Sequence, residues 1–573
     1  MALIDKASLL MVPSTYEAGT LYNVLPSGNR APDSTGENSG YDQTRADFDF
    51  DRGSNTAATR VNADGLIEKY RENLLLQSNQ FDTTWINSNS TETGGQNGYD
   101  GSSDAWLINK SAANGYIRQA ISQSGVQTLS VYAKAGTLNW MRVIADGGTS
   151  TPSTWFDLQN GVIGNADFFT IDSNIEAIGA TGWYRCSITF EVGTIAGVRF
   201  YPADANNVVS GTSGSIYIQN AQLEQGLVAT DYIESGATTG KAGVLIDLPR
   251  IDYSSGAGAL LLEPSRQQLL QYSEYFYGSN WTAGTTTIVP VISPSLSPEG
   301  KLNAYRITRN DGLGQLQLGS LTSVTSGATY TGSFYVKRVS GSTTCEIFNL
   351  NNVGTSKNIT DEWTRIDITS TANSTTGRLY IRPAADGDVI DVWGAQLEAG
   401  SYATSYIPNH GESGGVTRAA DSCSVTGASD VIGQTEGTLF FDVNISRVVG
   451  NEAIGTINSG AYANHATIQR VGSTIQFVRN SATQSGATIV TSATITAGRY
   501  KLAIAYKSGD TACFLNGAQV STTQTQTFTN ATLNVVKIGT DAIGALPISD
   551  SVKQSILFKT RLTNTELADL TTL

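Results

Sequence analysis

The chain carries a second copy of one of its own parts, and this duplication limits its architecture more than any other feature. Glu68 and the run Asn73-Leu74-Leu75 recur as Glu263 and Gln268-Leu269-Leu270, and Trp85 is answered by Trp281. LSVYAKAG (129–136) is answered by GSFYVKRVSG (332–341), and GWYRCSITF (182–190) by EWTRIDITS (362–370). SIYIQNAQLEQGLVATDYIES (215–235) is answered by VIDVWGAQLEAGSYATSYIPN (389–409). Blocks in the same order with drifting spacing describe one domain duplicated with altered loops. The blocks read as strands: Tyr184, Cys186, Ile188 and Phe190 point one way, Arg185, Ser187, Thr189 and Glu191 the other. This period of two, between clusters of Gly, Ser, Asn and Asp, predicts antiparallel sheets with one apolar face, packed as a sandwich.

After Pro408 the sequence passes through HGESGG, a linker composition, into a β unit of different design. Its clearest strands are EGTLFFDVNIS (436–446), STIQFVRN (473–480), YKLAIAYKSG (500–509), ACFLNGAQV (512–520) and LNVVKIGT (533–540). Asn516-Gly517 predicts a two-residue hairpin turn. Thr563 with Glu566 predicts a capping box opening one short helix. Residues 1–45 offer SLLMV (8–12) as one strand and then a stretch with no periodicity, which is expected to order only on a partner surface. The reading is therefore an all-β chain: an arm over 1–45, jelly-roll or β-sandwich modules over 46–236 and 249–409, and a third over 417–573.

At 573 residues the chain is too long for one core. Its net charge of −14 argues against nucleic acid and anionic membrane as partners. No apolar stretch approaches the length of a membrane span. The opening MALIDKASLLMVPSTYEAG lacks a basic start with a long apolar run, so no signal peptide is expected. Two histidines, His410 and His465, leave no His-rich metal site. Cys186, Cys345, Cys423 and Cys513 are scattered without a CxxC pair, which suits folding in a reducing cytoplasm and burial as small hydrophobes.

FDFDRGSNTAATRVNADGLIEKYRENLLLQSNQFDTTW (47–85) resembles the lead-in to carbohydrate-binding-module-like sandwiches of bacteriophage tail fibres and related virion appendages. LLLEPSRQQLLQYSEYF (260–276) and GAQLEAGSYATSYIP (394–408) are similar to the opening and closing signatures of the same modules. GQTEGTLFFDV (433–443), the run 498–506 and LFKTRLTNTELADL resemble a concanavalin/laminin-G-type jelly roll. The resemblance covers about 47–573. It implies a structural fibre protein of the virion, made in the host cytoplasm. The arm would dock on other virion proteins, the chains would form a homotrimer, and the modules would recognise a bacterial surface glycan or other receptor. Two alternatives stay open, a capsid decoration or head-fibre protein with a mainly structural role and a polysaccharide depolymerase.

Comparison of the two copies singles out candidate residues. Phe81 and Phe276, with Trp85 and Trp281, keep an aromatic in both copies and are expected in the cores. Gln77, Gln80 and Asp82 become Tyr272, Tyr275 and Tyr277. A position that accepts Gln or Asp in one copy is expected to face solvent in both, which makes the three tyrosines candidates for stacking on a sugar ring. The competing reading is a subunit or inter-domain contact. Trp140 and Trp155 have no tryptophan counterpart in the second copy and are candidate glycan platforms or core residues. Asp386, Asp388 and Asp391 could offer hard oxygen ligands to a structural calcium ion, or simply be solvated. No GxSxG nucleophile, Ser/His/Asp set or β-helix repeat is visible, so no catalytic residue, resident metal or cofactor is expected.

Overall fold

The computed structural model describes residues 3–15 and 48–573, except 149, 247, 278–279, 292–294, 313, 319–321, 482–488 and 530. The chain is all-β, and the expected helix forms at Asn564–Thr571, with the Thr563 side chain accepting from the Glu566 N–H. No helix among the described residues is long and apolar enough to cross a membrane. Asn516 and Gly517 both have positive φ and join Ala512–Leu515 to Ala518–Gln519, as the hairpin reading requires. All four cysteines are buried.

The duplication is visible in the strand order. In the second module one sheet runs Trp281–Ala283, Leu316–Leu318, Tyr380–Pro383, Thr344–Phe348, Gly354–Asn358, and the other runs Thr286–Pro290, Tyr305–Arg309, Val389–Ala399, Thr329–Ser340, Thr364–Thr371. The first module has the same pairings in one ten-stranded sheet. Its strands Tyr116–Ala135 and Trp183–Ala203 run through both layers, and register shifts between Val192 and Gly197 let the sheet fold over on itself. Alternation then sends Met141, Val143, Phe156 and Phe200 of one layer against Leu129, Val131, Cys186 and Ile188 of the other. Phe81 and Trp85 close this core, as Phe276 and Trp281 close the second.

The residues the copies share are buried polar clamps. Glu224 accepts from Gln222, the Thr230 N–H (2.9 Å) and the Thr230 hydroxyl (2.6 Å). Glu398 accepts from Gln396, the Thr404 N–H (2.8 Å) and the Thr404 hydroxyl (2.7 Å). Asn73 donates to the Ala221 and Ile233 carbonyls, and Gln268 to those of Ala395 and Ile407. Arg185 lies over Tyr132 and donates to the Thr230 carbonyl, as Arg365 lies over Tyr335 and donates to that of Thr404. These bonds pin the exit segment across the outer side of one sheet, where Trp183 with Tyr232 and Trp393 with Tyr406 seal that side.

The third module corrects the sequence boundaries. Its sheets are assembled from separate stretches of chain. Asp49–Asp51 pairs with Ser422–Thr426, while Ala259–Leu262 and Ala7–Met11 pair with successive parts of Asp550–Phe558. Leu9, Met11, Phe50, Ile251, Leu260 and Leu262 enter one core with Phe441, Ile457 and Phe477. The strand within the expected docking arm is thus committed to this chain's own C-terminal module, because it covers the open edge and apolar face of the last long strand. Residues 1–2 and 16–45 of the expected arm lie outside the described residues. HGESGG is not a free linker either: Val416–Arg418 pairs with Arg266–Gln268, and the Val126 N–H donates to the His410 carbonyl (2.7 Å). There the backbones of Gly125 and Gly411 touch, and a Cβ on Gly125 would sit 2.4 Å from the His410 carbonyl oxygen.

A buried charge network joins the modules. Arg250 donates to Asp421 and to Glu263 (2.9 Å), and Arg418 pairs with Glu263 (2.9 Å). Glu263 also accepts from the Ser405 N–H (2.7 Å) and hydroxyl (2.6 Å) at the exit of the second module. Arg52 adds a further cation 3.6 Å from Asp421. Burial pushes the Glu263 carboxyl up, but Arg418, Arg250 and the Ser405 donors outweigh it and hold it well below the usual carboxylate range.

A fragment starting at residue 417 lacks strands its core needs and should show no cooperative unfolding by circular dichroism, whereas Met11→Ala in the full chain should cost about 2–5 kcal/mol, read as a lower denaturant midpoint. Asp421→Ala leaves buried guanidinium uncompensated and should cost about 3–5 kcal/mol. Because the folded pKa of Glu263 is depressed, its contribution is complete above the unfolded value of about 4.3 and is lost as pH falls through the folded one. The denaturant midpoint should therefore drop in acid, and Glu263→Gln, already weaker at pH 7, should show a flatter decline.

Candidate functional site

The sealed sheet of each sandwich leaves the opposite sheet as the one with an uncovered outer side. In the first module this side is built by Tyr116–Ala135, Trp183–Ala203, Trp140–Asp146 and Ser153–Asp157. Met141, Val143, Phe156 and Phe200 point in, so alternation turns Trp140, Arg142, Trp155, Arg199 and Tyr201 out. Cross-strand register sets Arg142 between Trp155 and Tyr201, and Arg199 beside Arg118. The Arg142 guanidinium lies over the Trp155 ring at 5.1 Å, and Arg199 lies over Tyr116 at 5.1 Å. Tyr116 and Tyr201 pack with ring centroids 4.9 Å apart. Asp146 pairs with Arg199 and lies 3.9 Å from Arg118. Arg142 donates to the Ser153 hydroxyl (3.1 Å), and no carboxylate lies within ion-pair distance of it among the described residues. Burial therefore lowers its pKa.

The second module carries a different face on the equivalent strands. Phe348 and Tyr380 stack at 4.2 Å with an interplanar angle of 14°. Arg382 lies over Phe348 at 4.8 Å and pairs with Glu346 (2.5 Å). Register makes Glu346 the counterpart of Arg142, Gln317 that of Arg118, and Ser356 that of Trp155. Phe348, Tyr380, Trp155 and Tyr201 are themselves buried, so the rings serve to fix the guanidinium, amide and carboxyl groups above them, which suit directed hydrogen bonds to a ring bearing hydroxyls.

The sequence candidates fall in three places. Trp155 is 5% exposed beneath Arg142, and Trp140 is half-buried against Gly164; both lie on the outer face and outside the core cluster. Tyr277 is 70% exposed. Tyr272 and Tyr275 correct the expectation of solvent exposure, being buried at the seam between the modules with Val126 and Leu227. The Tyr272 hydroxyl donates to Glu191 (2.5 Å) of the first module, and its ring meets Tyr275 edge-on at 6.0 Å. Burial, then Glu191, pushes the Tyr272 phenol up; burial pushes Tyr275 up to about 12. The physical reason is the tandem order: the same position is a free edge in one copy and the docking edge in the next.

Asp386, Asp388 and Asp391 are held apart by separate partners. Asp386 pairs with Arg309 (2.9 Å), Asp388 accepts from the Ala385 and Ser342 N–H groups, and Asp391 takes both prongs of Arg306. Among the described residues no group of His, Cys, Asp and Glu is gathered for a metal ion. His465 is buried against the Thr467 hydroxyl (2.8 Å) and lowered to about 4 by burial. His410 lines a cavity of about 340 Å³ at the seam, in which Lys69 is already locked between Glu274 (2.6 Å) and Glu299 (2.7 Å). The sequence reading missed Arg118, Arg142, Arg199, Tyr201, Phe348, Tyr380 and Arg382. The available signal was alternation in WMRVIAD (140–146) and GVRFYPA (197–203), which sets arginine and aromatic residues together on the wet face.

No family model matches the chain, and no curated protein matches it. Among solved structures it has a partial likeness to the Ruminococcus gnavus IT-sialidase CBM40 bound to α2,3-sialyllactose, at 15% identity over 25% of this chain and 86% of that one, with a TM-score of 0.22. The NanB sialidase from Streptococcus pneumoniae is similar at 14% identity over 26% of each chain, with a TM-score of 0.23. A CBM4 structure is similar at 16% identity over 17% of this chain and 72% of that one, with a TM-score of 0.15.

Tyr272→Gln combined with Tyr275→Gln should loosen the seam, seen as several-fold faster protease cleavage within 410–417. Tyr277→Asp should leave that cleavage rate unchanged.

Proposed function

We propose that this chain is a non-enzymatic recognition protein whose outer sheet faces bind carbohydrate on a bacterial surface. The observation that carries this reading is the contrast between the copies. They keep their buried clamps almost residue for residue, while the uncovered face is rebuilt around a new aromatic and charged set. The resemblance of the opening and closing segments to virion appendages favours a bacteriophage fibre as the setting. Copies in a homotrimer would multiply weak sites into useful avidity. The strand Ala7–Met11 is committed to the third module, so attachment to a particle has to use other surface.

The test is retention of the full chain on immobilised bacterial surface polysaccharide, with the wash analysed for sugar. Retention without oligosaccharide release is expected. Tyr380→Ala removes the ring stacked on Phe348 beneath Arg382 and, by unsettling that face, should weaken retention on a matching polysaccharide several-fold. Binding to no polysaccharide counts against recognition, and released oligosaccharide would favour the depolymerase reading. Light scattering tests the assembly, where a monomer at micromolar concentration would count against the trimer.

A further inference from the structure

We infer that the outer face of the first module takes an oxyanion carried by a saccharide, a carboxylate or a sulfate, between Arg118, Arg142 and Arg199. The inference rests on the carbohydrate reading and narrows its ligand class. Three guanidinium groups share this face, and Asp146 is the one carboxylate that pairs with any of them among the described residues. The Nε atoms of all three are shut from solvent without a hydrogen-bond partner. Their stacked and paired geometry, over Trp155 and Tyr116, fixes the guanidinium planes before any ligand arrives. A fixed planar fork of N–H donors matches an oxyanion, and the half-buried Trp140, outside the arginine layer, is the ring left to meet the sugar that carries it. The whole chain has a net charge of −14, whereas on this face three guanidinium groups stand against the paired Asp146, with Asp167 acting on Arg142 from beyond ion-pair distance. The second module lacks it, since Glu346 and Gln317 stand where the first has Arg142 and Arg118, and Arg382 is neutralised by Glu346.

The experiment titrates the full chain with polygalacturonate and with its methyl ester, which keeps the sugar and removes the charge. Dextran sulfate and dextran form a second pair that separates sulfate from carboxylate. The acidic member of at least one pair should bind about tenfold more tightly than its neutral partner, the size of one charge-assisted hydrogen bond of about 1.4 kcal/mol. Arg118→Gln with Arg142→Gln takes glutamine, the residue the second copy carries at 317, and should erase that preference while the circular dichroism spectrum and unfolding midpoint stay near those of the parent chain. Arg142→Lys keeps the charge but loses the fork, and should weaken acidic binding by most of the same factor. Equal binding of acidic and neutral members overturns the inference and leaves the carbohydrate reading standing. An acidic preference that survives the double substitution overturns it too, placing the anion elsewhere. Absence of binding to surface polysaccharide and to all four probes sinks both.

Discussion

Asp421 and Glu263 organise the molecule. Each carboxylate is buried, and each is reached by guanidinium groups from segments far apart in sequence: Arg52 from the lead-in, Arg250 from the stretch between the modules, Arg418 from the stretch after the second. A buried charge is tolerated only where its partners are present and aligned. The network can therefore form only when these segments have converged, which is also the condition for the third module to acquire Asp49–Asp51 and Ala259–Leu262. The chain is less a string of beads than a loop drawn closed at one point, with the first two sandwiches as excursions from a composite third.

This closure explains which parts of the fold were legible in the sequence. The duplicated sandwiches could be read because their determinants are local. Gln222, Glu224 and Thr230 lie within one short string and lock one exit segment, and Gln396, Glu398 and Thr404 repeat the string and the lock. The composite module could not be read that way. Ala7–Met11 is a short apolar strand like many others, and nothing within it names Ser555–Phe558 as its partner. Likewise HGESGG has a linker's composition, yet its Gly411 and Gly415 serve close packing, since Gly411 meets Gly125, and Gly415 the Gln268 carbonyl, where a side chain would collide with backbone.

The tyrosines show a second limit. A glutamine at position 77 establishes that this edge of the first copy tolerates water, and transferring that conclusion to Tyr272 assumes equal surroundings. Tandem copies do not have equal surroundings. The first module offers Glu191 and Val126 to the second, so the equivalent edge became an interface and acquired aromatic residues for it. The rule that a polar residue marks a wet position holds for each copy alone. Trp155 illustrates the converse: it is nearly inaccessible yet outside the core, because an arginine rather than a hydrophobic layer covers it.

The same comparison separates what the repeats need from what they are free to change. A clamp such as Glu224 with Thr230 has no tolerant substitute, because losing either partner leaves a buried polar group unpaired. The outer face bears no such constraint. Exchange of Arg142 for Glu346, or of Trp155 for Ser356, alters no core contact, so those positions can respond to whatever meets the face. Duplication then yields two scaffolds of equal geometry with independent surfaces: one of arginine laid over aromatic rings with a surplus of positive charge, the other of stacked rings with a balanced ion pair. If carbohydrate meets both faces, ligands of different charge can be engaged by one chain, and the combination, rather than the affinity of either face, sets which surface is recognised.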